Sequence, residues 1–301
     1  MDSPWFIIAD DFTGSGDSAV QFRTRERPAR FLLDLNLRNL LELELSAYVV
    51  NSDSRFLSGP EAYKKVRDIA EMIGNKAMGR LFKKIDSTLR GNIAEEVAAV
   101  MDGAGFSRVL VCPAAPRNGR TVMDGLCLVN RKPINSGAIV RDLFTPVDDA
   151  CLASLFESKF SGFIAHISLN ELHQGAKALS ATVERLSAEG KKIFTADAAS
   201  IEDLALLATL AELPGMLLVG SSGLAEALAD RRGITCAGPS MQGLRKVPAG
   251  KAAFFVGSVT PTSAAQCAFL TASGGVQRVA IDGKSVVEEP AAEMKRILAE
   301  M

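Results

Sequence analysis

Ten short apolar runs, separated by amphipathic stretches, constrain the fold of this 301-residue chain more than any other feature. They are WFIIAD, ARFLLD, AYVVN, LFKKI, RVLVC, FIAHI, KIFTAD, MLLVG, AAFFVG and VQRVAI. Their lengths and their Val, Ile and Phe content suit buried strands. Between many of them lie patterns of helical period: PEAYKKVRDIAEMIG, NIAEEVAAVMDG, LNELHQGAKALSATVERLSAEG and IEDLALLATLAEL. This alternation predicts an α/β fold, a mostly parallel sheet with helices on both faces and ligands bound outside the carboxyl ends of the strands. Gly, Pro and polar residues interrupt the pattern at RRGITCAGPSMQGLRKVPAGK. Residues 1–235 are therefore expected to form one domain, 236–251 a linker, and 252–301 the start of a second α/β unit.

Charge narrows the partners. Thirty-four basic against thirty-five acidic residues, a net charge of −1, leave no electrostatic footprint for a polyanion. Neither nucleic acid nor a membrane surface is an expected partner. The start, MDSPWFIIADD, carries no basic stretch before its apolar run, and no run approaches the length of a membrane span, so a cytoplasmic protein is expected. Five cysteines (Cys112, Cys127, Cys151, Cys236, Cys267) contain no C-x-x-C pair, which fits a reducing compartment better than a disulfide framework or zinc site. Two histidines, His166 and His173, are too few for a divalent site, so no metal ligands are predicted.

The first strand runs into IIADDFTGSGDSAVQF, whose GSGDSA matches the spacing of a dinucleotide-binding turn. Asp34, eighteen residues past Gly16, mimics the ribose-binding acid, and a nicotinamide-dependent dehydrogenase is one reading of the chain. Yet Asp10, Asp11, Phe12 and Thr13 stand between strand and glycine, and Asp17 follows. At about 5 Å and an effective dielectric of about 20, each carboxylate repels a phosphate charge by roughly 3 kcal/mol. A helix N-terminus returns only about 0.3 to 2 kcal/mol. These carboxylates are expected to meet hydroxyls, a cation or a proton. The plainer alternative is that Asp10 or Asp11 ends the strand while Ser15 or Asp17 caps the helix.

Other strand ends carry polar groups. KKIDSTLRGN supplies Asp86, Ser87, Thr88, Arg90 and Gly91, and Asn92 with Glu95 resembles a capping box. The fork of Arg90 suits a substrate carboxylate. Adjacent strand residues face opposite sides, which leaves open whether Lys83 or Lys84 faces the ligand. Asp11, Asp10 and Lys84 form the expected catalytic set. NSDSR adds Asp53 and Arg55, and Asn118 in CPAAPRNGRTVMDG is expected to reach across the same mouth. LLVGSSGLAEAL and FFVGSVTPTSAAQ each pair a strand with Gly-Ser and a helix start, so Ser221, Ser222, Gly257 and Ser258 are expected to cradle phosphates. GSSG lacks the G-x-S-x-G spacing of a nucleophile elbow.

The segments IIADDFTGSGDSAVQF, VVNSDSR, FKKIDSTLRGN, PAAPRNGRTVMDG, RDLFTPV, VGSSGLAEAL and VGSVTPTSAAQ resemble, in this order, the four-carbon acid sugar kinase family. The resemblance implies a sugar-acid-binding N-terminal domain, a C-terminal nucleotide-binding domain, and ATP-dependent phosphorylation of a terminal hydroxyl on threonate, erythronate or an oxo-tetronate. Carried over, Asp10, Asp11, Asp86, Ser87 and Arg90 fall in the substrate site and Ser258 touches ATP. Magnesium commonly bridges the phosphates in such transfers. The expected partners are a small sugar acid and ATP, with a homo-oligomer allowed. Family members continue beyond AAEMKRILAEM, so only the opening of the second domain is expected here. A non-catalytic sugar-acid-binding protein is the alternative.

Overall fold

The computed structural model describes residues 4–24, 27–32, 45–77, 80–136, 147–234, 250, 252–257 and 261–300. Ser258, Asp34, Cys236 and nearly all of the 236–251 segment lie outside them. The chain divides into two compact units, Met1–Ser240 and Met241–Met301.

In the first unit, the chain runs β1 (Trp5–Ala9), α1 (Phe12–Gln21), β2 (Ala29–Leu32), β3 (Ala47–Asn51), α2 (Gly59–Ala77), β4 (Leu81–Lys84), α3 (Ile93–Ala104) and β5 (Arg108–Cys112). A small antiparallel sheet follows, β6 (Arg120–Met123), β7 (Leu126–Val129) and β8 (Lys132–Pro133). Then come α4 (Ser154–Phe160), β9 (Ile164–Ile167), α5 (Leu169–Leu172), α6 (Ala176–Ala188), β10 (Ile193–Ala196), α7 (Ile201–Ala208), β11 (Met216–Gly220) and α8 (Ser222–Arg231). Eight strands pair in the order β2-β3-β1-β4-β11-β5-β10-β9, every pairing parallel. The inner strands β1, β4, β10 and β11 are buried throughout, because helices cover both faces of a parallel sheet. Helix α2 packs on α3, and α8 packs on both α1 and α7.

Three local expectations are corrected. AAFFVG and VQRVAI form no strands, and Phe254 and Phe255 are exposed. A strand needs a hydrogen-bonding neighbour, and among the described residues of the second unit neither run has one. That unit presents instead α9 (Pro261–Ala272), α10 (Gly283–Glu288) and α11 (Pro290–Glu300). LNELHQGAKALSATVERLSAEG is not one helix, because Gly175, at φ 90°, separates α5 from α6. His173 thus follows α5 rather than lying within a helix. The small sheet escaped periodicity, although its turns are legible in retrospect: Asp124-Gly125 and Asn130-Arg131 have φ of 51°, 74°, 50° and 66°. Positive φ at both central residues is the signature of a two-residue hairpin turn.

Candidate functional site

Strand order places the site. From β1 the chain leaves through α1 towards β2 at one edge, and from β4 through α3 towards β5 on the other side. The two connections diverge between neighbouring strands, which opens a crevice at their carboxyl ends. Asp10 and Asp11 stand at the end of β1, Asp86 to Gly91 follow β4, and Ser52 to Arg55 follow β3.

Arg55 gathers these loops. Its Nε donates to Asp10 Oδ2 at 2.7 Å, its Nη1 to Asp11 Oδ2 at 2.9 Å, and its Nη2 lies 3.9 Å from Asp86 Oδ1. Arg90 grips Asp86 with Nε at 2.9 Å and Nη2 at 3.0 Å, so its fork holds a protein carboxylate. Thr88 donates to the same Asp86 oxygen through both N and Oγ1. Burial opposes the charged form of Asp86, but Arg90, Thr88 and Arg55 together outweigh it and hold its carboxyl well below the usual range. Burial opposes the charge of Arg55 too, yet the three carboxylates raise its pKa. The loop is closely specified: Leu89 sits at φ 64°, an uncommon conformation for a non-glycine residue, with its side chain buried and its amide donating to the Asp86 carbonyl. Gly91 sits at φ 93°, a backbone conformation that strains any side chain, and a Cβ there would lie 3.3 Å from Arg55 Cγ.

Asp11 also answers the question of the opening turn. Helix α1 begins at Phe12, so Gly14 and Gly16 lie inside it, and Asp11 rather than Ser15 or Asp17 is the cap, accepting from the Gly14 amide at 2.8 Å. The anion position at this helix start is taken by the chain's own carboxylate. Of the adjacent acids Asp10 is buried, whereas the Asp11 side chain keeps 20% of its surface exposed.

The two lysines face opposite sides of the sheet. Lys84 lies beneath α1, where a Cβ on Gly14 would come within 2.9 Å of its Nζ, while Lys83 points towards α3 and pairs with Glu96 at 2.6 Å. Burial lowers the pKa of Lys84, against the pull of Asp10, Asp86, Asp11 and Asp17. On the far side, burial raises Glu96 against the pull of Lys83. Asn92 makes no side-chain cap, contrary to the capping-box expectation; its Nδ2 donates to the Ser54 and Leu57 carbonyls at 3.0 and 2.9 Å. Glu96 and this tethering role of Asn92 were missed, because an acid in an amphipathic helix carries no signal of burial.

A cavity of about 260 Å³ adjoins the cluster, lined by Arg55, Phe56, Leu89, Gly91 and Asn92 among others. Asn118 does not line it. It sits on a turn (Pro116–Asn118) beside a separate cavity of about 200 Å³ that Ser222 and Gly223 also line. Ser221 is buried, its hydroxyl donating to the Ala114 carbonyl and capping α8. Asp53 and Gly257 are exposed. Both cavities fall below the range of about 300 to 1,000 Å³ usual for small-molecule sites, and Arg117 and Glu226 pair across the second. The described residues of the first unit do not bring Ser221 and Ser222 together on that cavity: Ser222 lines it and Ser221 does not. Nor do they suit magnesium: Asp10, Asp11 and Asp86 already hold guanidinium groups, and among the described residues no cluster of three His, Cys, Asp or Glu is arranged for a metal.

Each histidine meets an aspartate. His173 Nε2 lies 2.7 Å from Asp203 Oδ1, and His166 Nε2 3.1 Å from Asp197 Oδ1. Asp197 also accepts from the amides of Asp124 and Gly125, which ties the β6–β7 turn to the large sheet.

Comparison with known proteins agrees with this architecture. A family model described as a sugar-binding N-terminal domain matches residues 5–228. A D-threonate kinase of Salmonella typhimurium is 34% identical over 225 residues, covering 74% of this chain and 52% of that protein. A D-erythronate kinase of Heliobacterium modesticaldum is 33% identical, covering 71% of this chain and 49% of that protein. A 3-oxo-tetronate kinase of Pseudomonas fluorescens is 29% identical, covering 94% and 68%. Among solved structures, a protein of Bordetella bronchiseptica, described as a domain of unknown function with bound citrate and a domain-swapped dimer, superposes with a TM-score of 0.66. It shares 30% identity and covers 76% of this chain and 57% of that one. The chain spans about half the length of the first two kinases. It belongs to the four-carbon acid sugar kinase family, whose sugar-binding N-terminal domain it carries over residues 5–228.

Proposed function

We propose that the first unit binds a four-carbon sugar acid and presents its terminal hydroxyl for phosphorylation, as the acceptor half of an ATP-dependent kinase. The observation that carries this reading is Arg55, which draws Asp10 and Asp11 from the end of β1 and Asp86 from the loop after β4 into one cluster beside Arg90. Such a cluster offers acceptors to hydroxyls and a cationic edge to a carboxylate, the two needs of a sugar acid. Arg90, a third exposed, meets the acid's carboxylate from the mouth while holding Asp86 in place. Ser87 and the partly exposed Asp11 take hydroxyls, and Asp11 orients the one that reacts. Asp10, buried and bound to Arg55, keeps that geometry rather than touching the acid. Lys84 adds positive charge under the first turn of α1, near the three aspartates. ATP supplies the phosphoryl group; transfer of this kind depends mainly on alignment and charge neutralisation. The relatives named as threonate, erythronate and 3-oxo-tetronate kinases support the substrate class. The citrate in the Bordetella relative is a hydroxy acid too, and its domain-swapped dimer supports a homo-oligomer here.

Calorimetry with D-threonate and D-erythronate tests the reading. We expect one of them to bind without nucleotide, and Arg90→Ala to weaken it about tenfold or more, the loss of a charged hydrogen bond, with the fold intact. Absence of heat with both acids at millimolar concentration overturns the proposal. A second reading, an acid-binding protein without transfer activity, is favoured by Asp11, whose two oxygens are already taken by the Gly14 amide and Arg55. Incubation with ATP and the bound acid decides between them: a phosphorylated product supports the kinase, and binding without product supports the second.

A further inference from the structure

Behind the carboxylate cluster, on the α3 side of the sheet, a chain of buried polar groups runs away from the mouth. Lys83 and Glu96 are 0% and 1% exposed, with Nζ and Oε2 2.6 Å apart. Lys83 also donates to the Lys84 carbonyl at 2.8 Å. The other oxygen of Glu96 accepts from Ser54 Oγ at 2.7 Å, Ser54 Oγ lies 2.7 Å from Ser52 Oγ, and Ser52 Oγ donates to the Ala9 carbonyl at 2.8 Å. The amides of Ser54 and Arg55 then donate to the Asp10 carbonyl at 3.0 and 3.3 Å. The chain therefore links α3 and β4 to the loop after β3 and the end of β1, the two segments that carry Arg55 and Asp10.

Stability alone is a poor reason for this arrangement. Replacing a buried ion pair by apolar residues of similar volume is often neutral or stabilising, because desolvation offsets the attraction. What apolar residues cannot replace is the acceptor that ties Ser54 to α3: without it the Ser54 hydroxyl has only Ser52 Oγ, 2.7 Å away, to turn to, and Ser54 immediately precedes the arginine that gathers three carboxylates.

We infer that Glu96, held in place by Lys83, is a positioning residue: through Ser54 it fixes the loop after β3 so that Arg55 grips Asp10 and Asp11. The consequence for ligand affinity rests on reading the cluster as the acid site, whereas the placement of Arg55 does not. Two double variants separate position from stability. Lys83→Met with Glu96→Leu makes the pair apolar and removes the acceptor; Lys83→Met with Glu96→Gln also removes both charges but keeps an oxygen for Ser54. The first readout is the side-chain Nε–H of Arg55 by NMR, assigned with Arg55→Lys and followed by hydrogen exchange; the second is the affinity for D-threonate and D-erythronate.

For the apolar pair we expect melting within about 4 °C of the parent. Its Arg55 Nε–H should lose protection, and its acid binding should weaken about tenfold, as for one lost hydrogen bond. The Met–Gln pair should keep the Arg55 protection of the parent and bind within about twofold of it, since the acceptor survives. If the apolar pair fails to fold, Ser54→Ala, which leaves the ion pair intact, should show the same loss of protection. Parental Arg55 protection in the apolar pair, or in Ser54→Ala, overturns the proposal, as does an equal loss in the Met–Gln pair. A parent that binds neither acid counts against the acid-site reading, and the Arg55 signal then decides the positioning role.

Discussion

Asp11 does two jobs at once, capping α1 through one carboxylate oxygen and receiving Arg55 on the other. The single oxygen of Asn can serve the cap or Arg55 but not both, so Asp11→Asn should cost about 1 to 3 kcal/mol of stability and weaken acid binding. Thermal melting and titration of the same sample check both halves. At Gly14 a Cβ would lie 2.6 Å from Asp11 Oδ1, so Gly14→Ala should push the cap aside and cost about 1 to 3 kcal/mol by denaturant unfolding. Asp86 predicts an acid limb. Its carboxyl is held low in the folded state, so its contribution is fully present above the unfolded value of about 3.9 and is lost as pH falls towards the folded one. Stability measured between about pH 5 and 2 should fall less steeply in Asp86→Asn than in the parent. At this scale the acids and the DSTLR turn were legible, since they stand at strand ends. The centrality of Arg55 was not, because a charged residue in a short polar loop has the same local signature whether it is solvated or buried among carboxylates.

At the scale of elements, the eight strands of the large sheet were legible as apolar runs, and α2, α3, α5, α6 and α7 as stretches of helical period. The errors arose where period competes with turn chemistry. TVMDGLCLVN pairs as β6 and β7 across Asp124-Gly125, a turn signal that the strand–helix alternation overshadowed. That hairpin is held to the sheet by Asp197, which accepts from Asp124, Gly125 and, at 3.3 Å, Leu169. Asp197→Ala would leave these amides unsatisfied, so we expect a loss of about 1 to 3 kcal/mol and faster hydrogen exchange across residues 120–129 than elsewhere in the sheet. The strands themselves depend on burial. Ile8, fully buried in β1, should cost about 2 to 5 kcal/mol when truncated to alanine, measured by urea unfolding.

For the whole molecule, a ligand that binds only the folded first unit should raise its stability by mass action, by about 2.7 kcal/mol at a hundred times the dissociation constant. A melting temperature that rises with D-threonate or D-erythronate, and does so less in Arg90→Ala, is the expected result. By itself the sequence determined the α/β alternation and the polar groups waiting at the strand ends, because period and turn chemistry act over a few residues. Only the tertiary structure decided that β1 lies between β3 and β4, that Lys84 and Lys83 serve opposite faces, and that Arg55 reaches back across more than forty residues of chain to Asp10 and Asp11. Strand order follows from crossovers and packing between distant segments, and local pattern carries no record of which distant ends will share one mouth.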